Sequence, residues 1–129
     1  MKSTLTRITL ISFLLILFIS NSAFTETKTV KESDPVTAYS KAIKINPKDK
    51  NAYGERGVAY FRLGKYKLAI ADFDKAVQLN PKNALAYYDR AISYNSLGDY
   101  NKAIGDLKVA AKLGDKISQD FLKKQKIAW

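Results

Sequence analysis

The sequence predicts an all-α protein: a short solenoid of stacked helical hairpins, with about two and a half repeats and a final capping helix. The main observation is that residues 52–79 and 86–113 resemble each other at an offset of 34 positions. Self-similarity at such a period is typical of helical-repeat proteins, because one unit cannot bury its apolar face alone and stacks on its neighbours. A second observation is that glycine and proline residues stand where helices of this length should end.

These helix ends divide each unit into two helices. Gly64 and Gly98 each follow a leucine and end the first helix of a unit, since glycine readily takes the left-handed conformation after a last helical turn. Pro81 ends the second helix of the first unit, because proline cannot continue a helix. The signals predict helices near residues 51–63, 66–79, 85–97 and 100–113.

Small residues at matching positions explain how the two helices of a unit approach each other. Gly57 and Ala91 leave room on the first helices, and Ala69 and Ala103 do so on the second. A larger residue at a close helix contact forces strain into the core. We therefore expect all four residues at helix–helix contacts.

The pattern extends towards the N-terminus for only half a unit. Asp34 and Pro35 are typical of an N-cap and a first helical turn, and they predict a helix near residues 34–46. We interpret this helix as the second helix of a unit that lacks its first. Its apolar stripe consists of Val36, Tyr39 and Ile43. Part of this stripe should pack on the next helix, and the rest needs cover either from the linker folded back over it or from a second molecule, which we favour.

The C-terminal segment predicts a capping helix near residues 115–126. Gly114 ends the preceding helix, and Asp115 can cap the next one. One face of this helix is apolar and the other is rich in lysine. A polar outer face is what the terminal unit of a solenoid needs for solubility.

The repeated motif resembles the tetratricopeptide repeat, whose pattern begins W-x2-L-G-x2-Y and continues A-x3-F. The first unit matches it at Tyr53, Arg56, Gly57, Tyr60, Ala69, Phe73, Ala76 and Pro81, and the second at Tyr87, Arg90, Ala91, Tyr94, Ala103, Leu107 and Ala110. The departures are tyrosine for the tryptophan, arginine for the leucine, Ala91 for the glycine and Asp115 for the last proline. The end of the chain, KLGDKISQDFL, is weakly similar to Sel1-like repeats, a related family of helical pairs.

The resemblance implies a concave groove, lined by the first helix of each unit, that binds a protein or peptide. The implied groove residues are Asn51, Gly54, Glu55, Val58, Phe61, Arg62, Leu85, Tyr88, Asp89, Ile92, Asn95 and Ser96. Gly54 either leaves room for the backbone of a partner or relieves packing within the protein. Some family members clamp the C-terminal carboxylate of a chaperone tail, but Asp89 would repel such a ligand.

The N-terminus predicts a secretory signal peptide. Lys2 and Arg7 precede an apolar run over residues 8–19, and small residues follow it, with cleavage expected after Ser22 or Ala23. We expect export to a periplasm or secretion, with only transient membrane contact; the alternative is an uncleaved anchor in the inner membrane through residues 8–19. The predicted boundaries are 1–23 for the signal peptide, 24–33 for a linker, 34–49 for the half repeat, 50–83 and 84–114 for the two units, and 115–129 for the capping helix and tail.

The net charge of +10, from 22 basic and 12 acidic residues, has two interpretations. Solvated lysines on helix faces keep a small protein soluble. Alternatively, the charge attracts an acidic peptide or an anionic envelope polymer or lipid surface. Nucleic acid is not an expected partner, because an exported protein rarely meets it.

Composition argues against an enzyme, a metal site or a cofactor. The chain has no histidine and no cysteine, which removes the commonest general base and the thiol nucleophile. Asp72 and Asp106 recur at the repeat period, and we interpret them as a shared exposed helix position. Gly54 and Gly57 do not form a phosphate-binding loop, since they lie within a predicted helix.

We therefore predict a protein–protein interaction module that acts as a small exported adaptor or scaffold. One alternative is a self-assembling structural subunit of an envelope complex, for which the uncovered stripe of the first helix allows a homodimer. Another is a non-catalytic accessory that tethers an envelope enzyme.

Overall fold

A computed structural model describes residues 34–129, so the predictions of a signal peptide, an anchor and a linker lie outside the described residues. This part of the chain contains six helices and no strand. They are α1 (Pro35–Ile45), α2 (Lys50–Arg62), α3 (Tyr66–Leu79), α4 (Ala84–Ser96), α5 (Tyr100–Lys112) and α6 (Lys116–Lys124). Their ends differ by at most two residues from the predicted ones, and the all-α prediction is confirmed.

Each helix packs against the next one along the chain, and α2 also contacts α4. Helices α2 and α3 form one hairpin, α4 and α5 form a second, α1 precedes them and α6 follows. This order is the predicted helical-hairpin solenoid. No helix within residues 34–129 is both long enough and apolar enough to cross a membrane.

Local signals set most helix ends, but the side chain of Asp34 does not make the capping hydrogen bond that the sequence predicted for α1. The side chains of Asp49, Asn83 and Asp115 accept hydrogen bonds from backbone N–H groups in the first turns of α2, α4 and α6. Gly64 and Gly98 follow the first helices of the two hairpins with φ of 71° and 79°, the left-handed region that glycine tolerates best.

Small residues allow close packing inside each hairpin. A Cβ atom placed on Gly57 would lie 2.7 Å from the ring of Phe73, so only glycine leaves room for that buried ring. In the second hairpin Ala91 belongs to the same buried cluster as Leu107. Ala69 and Ala103 are buried, as their positions predicted.

The prediction that Asp72 and Asp106 share an exposed position is wrong. They are only 5% and 7% exposed. Arg56 and Arg90, which take the place of a leucine in the motif, pair with them across each hairpin. A carboxylate can be buried here because a guanidinium group satisfies both of its oxygens.

Candidate functional site: a groove along α2 and α4

Three adjoining cavities follow the face that α2 and α4 present together. The central cavity, of about 190 Å³, lies between these two helices. Its lining is mostly apolar, with one carboxylate. The lining residues are Val58, Phe61, Phe73, Tyr88, Asp89 and Ile92.

The second cavity, of about 240 Å³, lies between α1 and α2 and shares Val58 with the central cavity. Tyr39 of α1 forms one wall, and Glu55 and Arg62 bring charges of opposite sign to the α2 wall. This end of the face is therefore the more polar one.

The third cavity, of about 230 Å³, lies between α4, α5 and α6 and shares Tyr88 and Ile92 with the central cavity. Its lining is almost entirely apolar or aromatic: Tyr88, Ala91, Ile92, Asn95, Tyr100, Ala103, Ile104, Leu107, Ile117 and Phe121. Because neighbouring cavities share residues, we treat the three as one surface and call it the groove.

Eight of the twelve predicted groove residues line at least one of these cavities: Glu55, Val58, Phe61, Arg62, Tyr88, Asp89, Ile92 and Asn95. The other four line none of the three. Asn51, Leu85 and Ser96 are exposed, and Ser96 donates a hydrogen bond to the backbone oxygen of Ile92.

Gly54 is not required for packing within residues 34–129. A Cβ atom built there would meet no neighbouring side chain within 4 Å. The glycine nevertheless costs about 1 kcal/mol of helix stability relative to alanine. Of its two interpretations, room for a partner remains, and its role in binding stays a prediction.

Asp89 sets the electrostatic character of the central cavity. It is half-buried between apolar side chains, and no ion pair or side-chain hydrogen bond within residues 34–129 engages its carboxylate. Burial, together with the nearby negative charges of Glu55 and Asp115, raises the pKa of Asp89 from 3.8 to about 6, and burial contributes most. The centre of the groove therefore carries an unmatched negative charge at neutral pH.

Two arginines, one on α2 and one on α4, fix these helices through ion pairs with the second helix of each hairpin. Arg56 donates from Nε and Nη2 to the two carboxylate oxygens of Asp72, at 2.7 Å each, and from Nη1 to the hydroxyl of Ser40 at 3.0 Å. The bonds to Asp72 raise the pKa of the Arg56 guanidinium above its ordinary value, so the arginine stays charged. One side chain of α2 thus joins α1 and α3.

Arg90 repeats the arrangement one unit later. Its Nε and Nη2 donate to Asp106 at 2.8 and 2.7 Å, and its Nη1 donates to Asp74 at 2.6 Å. The guanidinium also lies over the ring of Tyr87, at 5.4 Å from its centre. These groups fix the orientation of α4, which carries Tyr88, Asp89 and Ile92 into the groove.

No group of three or more His, Cys, Asp or Glu side chains in residues 34–129 is arranged to hold a metal ion. The paired aspartates have their oxygens occupied by arginine, and Asp89 stands among apolar side chains. What the groove offers is apolar contact area, charged side chains at its α1 end and the carboxylate of Asp89 at its centre.

Comparison with known proteins places this helical array in a family. Models of the tetratricopeptide repeat match residues 51–83 and 73–105, and a related TPR repeat model matches residues 36–64. An Arabidopsis structure, the OM64 TPR domain, is 30% identical with a TM-score of 0.63, covering 70% of this chain and 78% of that one. The chain belongs to the tetratricopeptide repeat family.

Other tetratricopeptide repeat structures are also similar. The first TPR domain of Spaghetti (RPAP3), bound to the HSP90 peptide SRMEEVD, is 27% identical with a TM-score of 0.65, covering 69% of this chain and 72% of that one. The MamA crystal structure is 26% identical with a TM-score of 0.60, covering 61% of this chain. This chain spans 46% of the MamA chain's length. No curated protein matches the sequence.

The tetratricopeptide pattern missed part of the groove, namely Tyr100, Ile104, Ile117 and Phe121 of the third cavity. Tyr100 and Ile104 lie on α5, whereas the prediction assigned the groove to the first helix of each unit. The repeat period is broken before α6, so matching by a 34-residue offset misplaces the side chains of that helix. Matching by N-cap residue would have found Phe121. It stands six residues after Asp115, as Glu55 and Asp89 stand six residues after Asp49 and Asn83.

Proposed function

We propose that this protein is a small exported adaptor that holds a peptide or a helix of a partner protein in the groove. The observation that carries this proposal is the continuity of the three cavities, whose large side chains are only partly covered by the protein itself. Val58, Phe61, Tyr88 and Ile92 are all half-buried along this one face. Large apolar side chains left partly exposed on one surface are typical of interaction sites.

The size of the cavities supports a peptide rather than a small molecule. Each has about 190 to 240 Å³, whereas pockets for small molecules usually have about 300 to 1,000 Å³. A row of small adjoining cavities suits successive side chains of one segment. Recognition of a helix in a groove works in this way, through a few apolar anchors on one face.

The structural relatives support a peptide as the ligand class, since the Spaghetti domain is bound to an HSP90 peptide. They do not carry over the ligand itself. That peptide, SRMEEVD, contains three acidic residues, and the unmatched charge of Asp89 would repel such a segment. The expected preference for an acidic partner rests on the net charge alone, and the charges lining the groove oppose it there.

Export is part of the proposal because of the basic start, the short apolar run and the small residues that follow them in the sequence. We expect the protein recovered from cells to begin near Ala23 or Phe24. Intact mass of the protein from the envelope and extracellular fractions measures this. Recovery of the full-length chain from the membrane fraction would favour the anchor instead.

The groove is tested with the double variant Tyr88→Ala, Ile92→Ala. The matched control is Ile45→Ala, Leu68→Ala, which truncates two exposed side chains that line none of the three groove cavities. Partners are cross-linked to each protein in envelope extract, identified by mass spectrometry, and then purified to measure the dissociation constant. We expect the groove variant to bind about tenfold or more weakly and the control to bind normally, because a few large anchors carry most interface energy. Equal affinity of both folded variants would place the binding surface elsewhere.

A second function, self-assembly, is favoured by one observation. No residue of α1 is buried, although Val36, Tyr39 and Ile43 form an apolar stripe on this helix. Light scattering of the wild type and of Tyr39→Lys tests whether a second molecule covers the stripe. A wild type that remains monomeric at tens of micromolar would exclude the dimer.

A further inference from the structure

The polarity of the groove decreases along its length, from the α1 end to the α6 end. Its N-terminal end contains Glu55 and Arg62, and its centre contains Asp89. The third cavity contains no charged side chain, and its only amide is that of Asn95. A segment lying along the groove therefore meets a charge in the middle and an apolar, aromatic-rich cavity at the α6 end.

Four of the nine aspartates within residues 34–129 form ion pairs, and Asp89 is not among them. Asp72 and Asp106 are matched by arginines, and even the more exposed Asp74 and Asp99 have a basic neighbour within 3 Å. Asp89 is half-buried and has none within residues 34–129.

The charged groups that raise the pKa of Asp89 are both negative, so they add to the cost of leaving its carboxylate unpaired. They are Glu55 of α2 and Asp115 at the start of α6. Arg62 lines the second cavity, whereas Asp89 lines the central one. Because a buried charge is costly unless it is paired, a cation that enters the central cavity would relieve this cost on binding.

We propose that the groove selects a segment in which a lysine or arginine stands beside large apolar side chains, with the cation at Asp89 and the apolar groups in the third cavity. This inference rests on the proposed function, since it assumes that the groove is the binding surface. Charge complementarity and the polarity gradient identify the occupant, and both disfavour an acidic segment.

The composition of the ligands is read from a displayed library of random short peptides, selected on the purified protein. Peptides that depend on the groove are those that lose binding to the Tyr88→Ala, Ile92→Ala variant and keep it to the Ile45→Ala, Leu68→Ala control. We expect these peptides to be enriched in lysine or arginine next to leucine, isoleucine, phenylalanine or tryptophan, and depleted in aspartate and glutamate.

The contact itself is tested by a double-mutant cycle on one selected peptide, synthesised with blocked ends. Replacing its cationic residue by glutamine should weaken binding to the wild type about tenfold, as expected for a hydrogen bond to a charged group. On the Asp89→Asn protein the two peptides should bind equally. Glu55→Gln is the matched control and should have a smaller effect, because Glu55 is exposed. Circular dichroism verifies that each variant is folded.

The outcomes separate the two proposals. Groove-dependent peptides without enrichment in lysine or arginine, or a cycle in which the two changes are additive, would overturn the cation site and leave the peptide-binding groove intact. A library that yields no peptide sensitive to the groove variant would overturn both.

Discussion

The two hairpins have the same backbone plan but fill it with different side chains. Where the first places Gly57 against the ring of Phe73, the second pairs Ala91 with Leu107 in one buried cluster. A larger residue on one helix is matched by a smaller one on the other. What the repeat preserves is the volume between its two helices, because cores are close-packed and tolerate volume-conserving exchanges best.

The arginines of the two hairpins share one partner type and differ in the other. Both make a two-bonded pair with an aspartate 16 residues later, but the third bond goes back to Ser40 in the first hairpin and to Asp74 in the second. We call the pair with the later aspartate the forward pair and the bond to the earlier residue the backward bond. The forward pair is buried, while Asp74 is 52% exposed. The comparison indicates that the forward pair contributes more to the free energy of unfolding than the backward bond.

Removing an arginine should produce the largest effect. Arg56→Met and Arg90→Met each leave a buried carboxylate without its partner, which should lower the free energy of unfolding by about 3 kcal/mol. Urea denaturation measures the loss. The double variant Arg90→Met, Asp106→Leu should recover much of it, since no charge is then left buried at this contact. A loss below about 1 kcal/mol in both single variants would contradict the central role of the forward pairs.

Exchanging the small residue should produce the next largest effect. Gly57→Ala places a methyl group 2.7 Å from the buried ring of Phe73, and the resulting strain should cost about 1–2 kcal/mol even after the gain in helix propensity. Thermal or urea unfolding measures this. Adding Phe73→Leu reproduces the pairing of the second hairpin and should restore part of the loss. If Phe73→Leu restored no stability, the idea that both hairpins preserve the volume between their two helices would be contradicted.

Equivalent groove positions, Glu55 and Asp89, should differ in their effect on stability with pH. The carboxyl of Asp89 has a pKa of about 6 in the fold against an ordinary value of 3.8, so the fold is favoured below the lower value and loses stability as pH rises through the higher one. Asp89→Asn should therefore stabilise the protein by about 1 kcal/mol at pH 7.5, a figure reduced for solvent screening of this partly exposed group.

At pH 3.5 this advantage of Asp89→Asn should vanish, because the wild-type carboxyl is then mostly protonated in both states. Urea denaturation at the two pH values measures it. Glu55→Gln is the control, and it should change stability less because Glu55 is exposed. An advantage of Asp89→Asn that is the same at both pH values would show that the charge of Asp89 is not its cause.

The smallest effect is expected from Asp74→Ser. This variant gives Nη1 of Arg90 a serine hydroxyl as its acceptor, as Ser40 is for Arg56 in the first hairpin. The half-exposed ion pair between Arg90 and Asp74 should contribute less than about 1 kcal/mol. Its contribution should also shrink at high salt, since exposed charges are screened. Unfolding at low and high salt compares the variant with the wild type. A larger loss of unfolding free energy that does not depend on salt would contradict the ranking, because the backward bond would then contribute as much as the forward pair.

The helices were predictable because their ends are set by local chemistry. Gly64, Gly98 and Pro81 act through the backbone within one turn, and the N-caps act over three residues. The arginine–aspartate pairs were not predicted, because they join residues far apart in sequence, and a periodic aspartate suggests exposure when no partner is known. The signal was present as an arginine at the position where the motif has a leucine.

The central cavity of the groove was predictable for the same reason that the repeat was. Tyr88, Asp89 and Ile92 lie where the second unit should line the face, and the structure brings them together in the central cavity. Phe121 was missed because only the helix cap, and not the repeat period, relates α6 to α2 and α4. The depth and continuity of the cavities follow from packing between helices and could not be read from the sequence.

Helix α3 carries Asp72 for the arginine of one hairpin and Asp74 for the arginine of the next. Ala76 and Val77 of α3 also pack with Ala86 of α4 in one buried cluster, so opening of either hairpin would expose apolar surface that belongs to both. Solenoids unfold unit by unit unless neighbouring units are strongly coupled. Native-state hydrogen exchange should accordingly show α2 to α5 opening as one cooperative block, with the ends of the array, α1 and α6, exchanging faster.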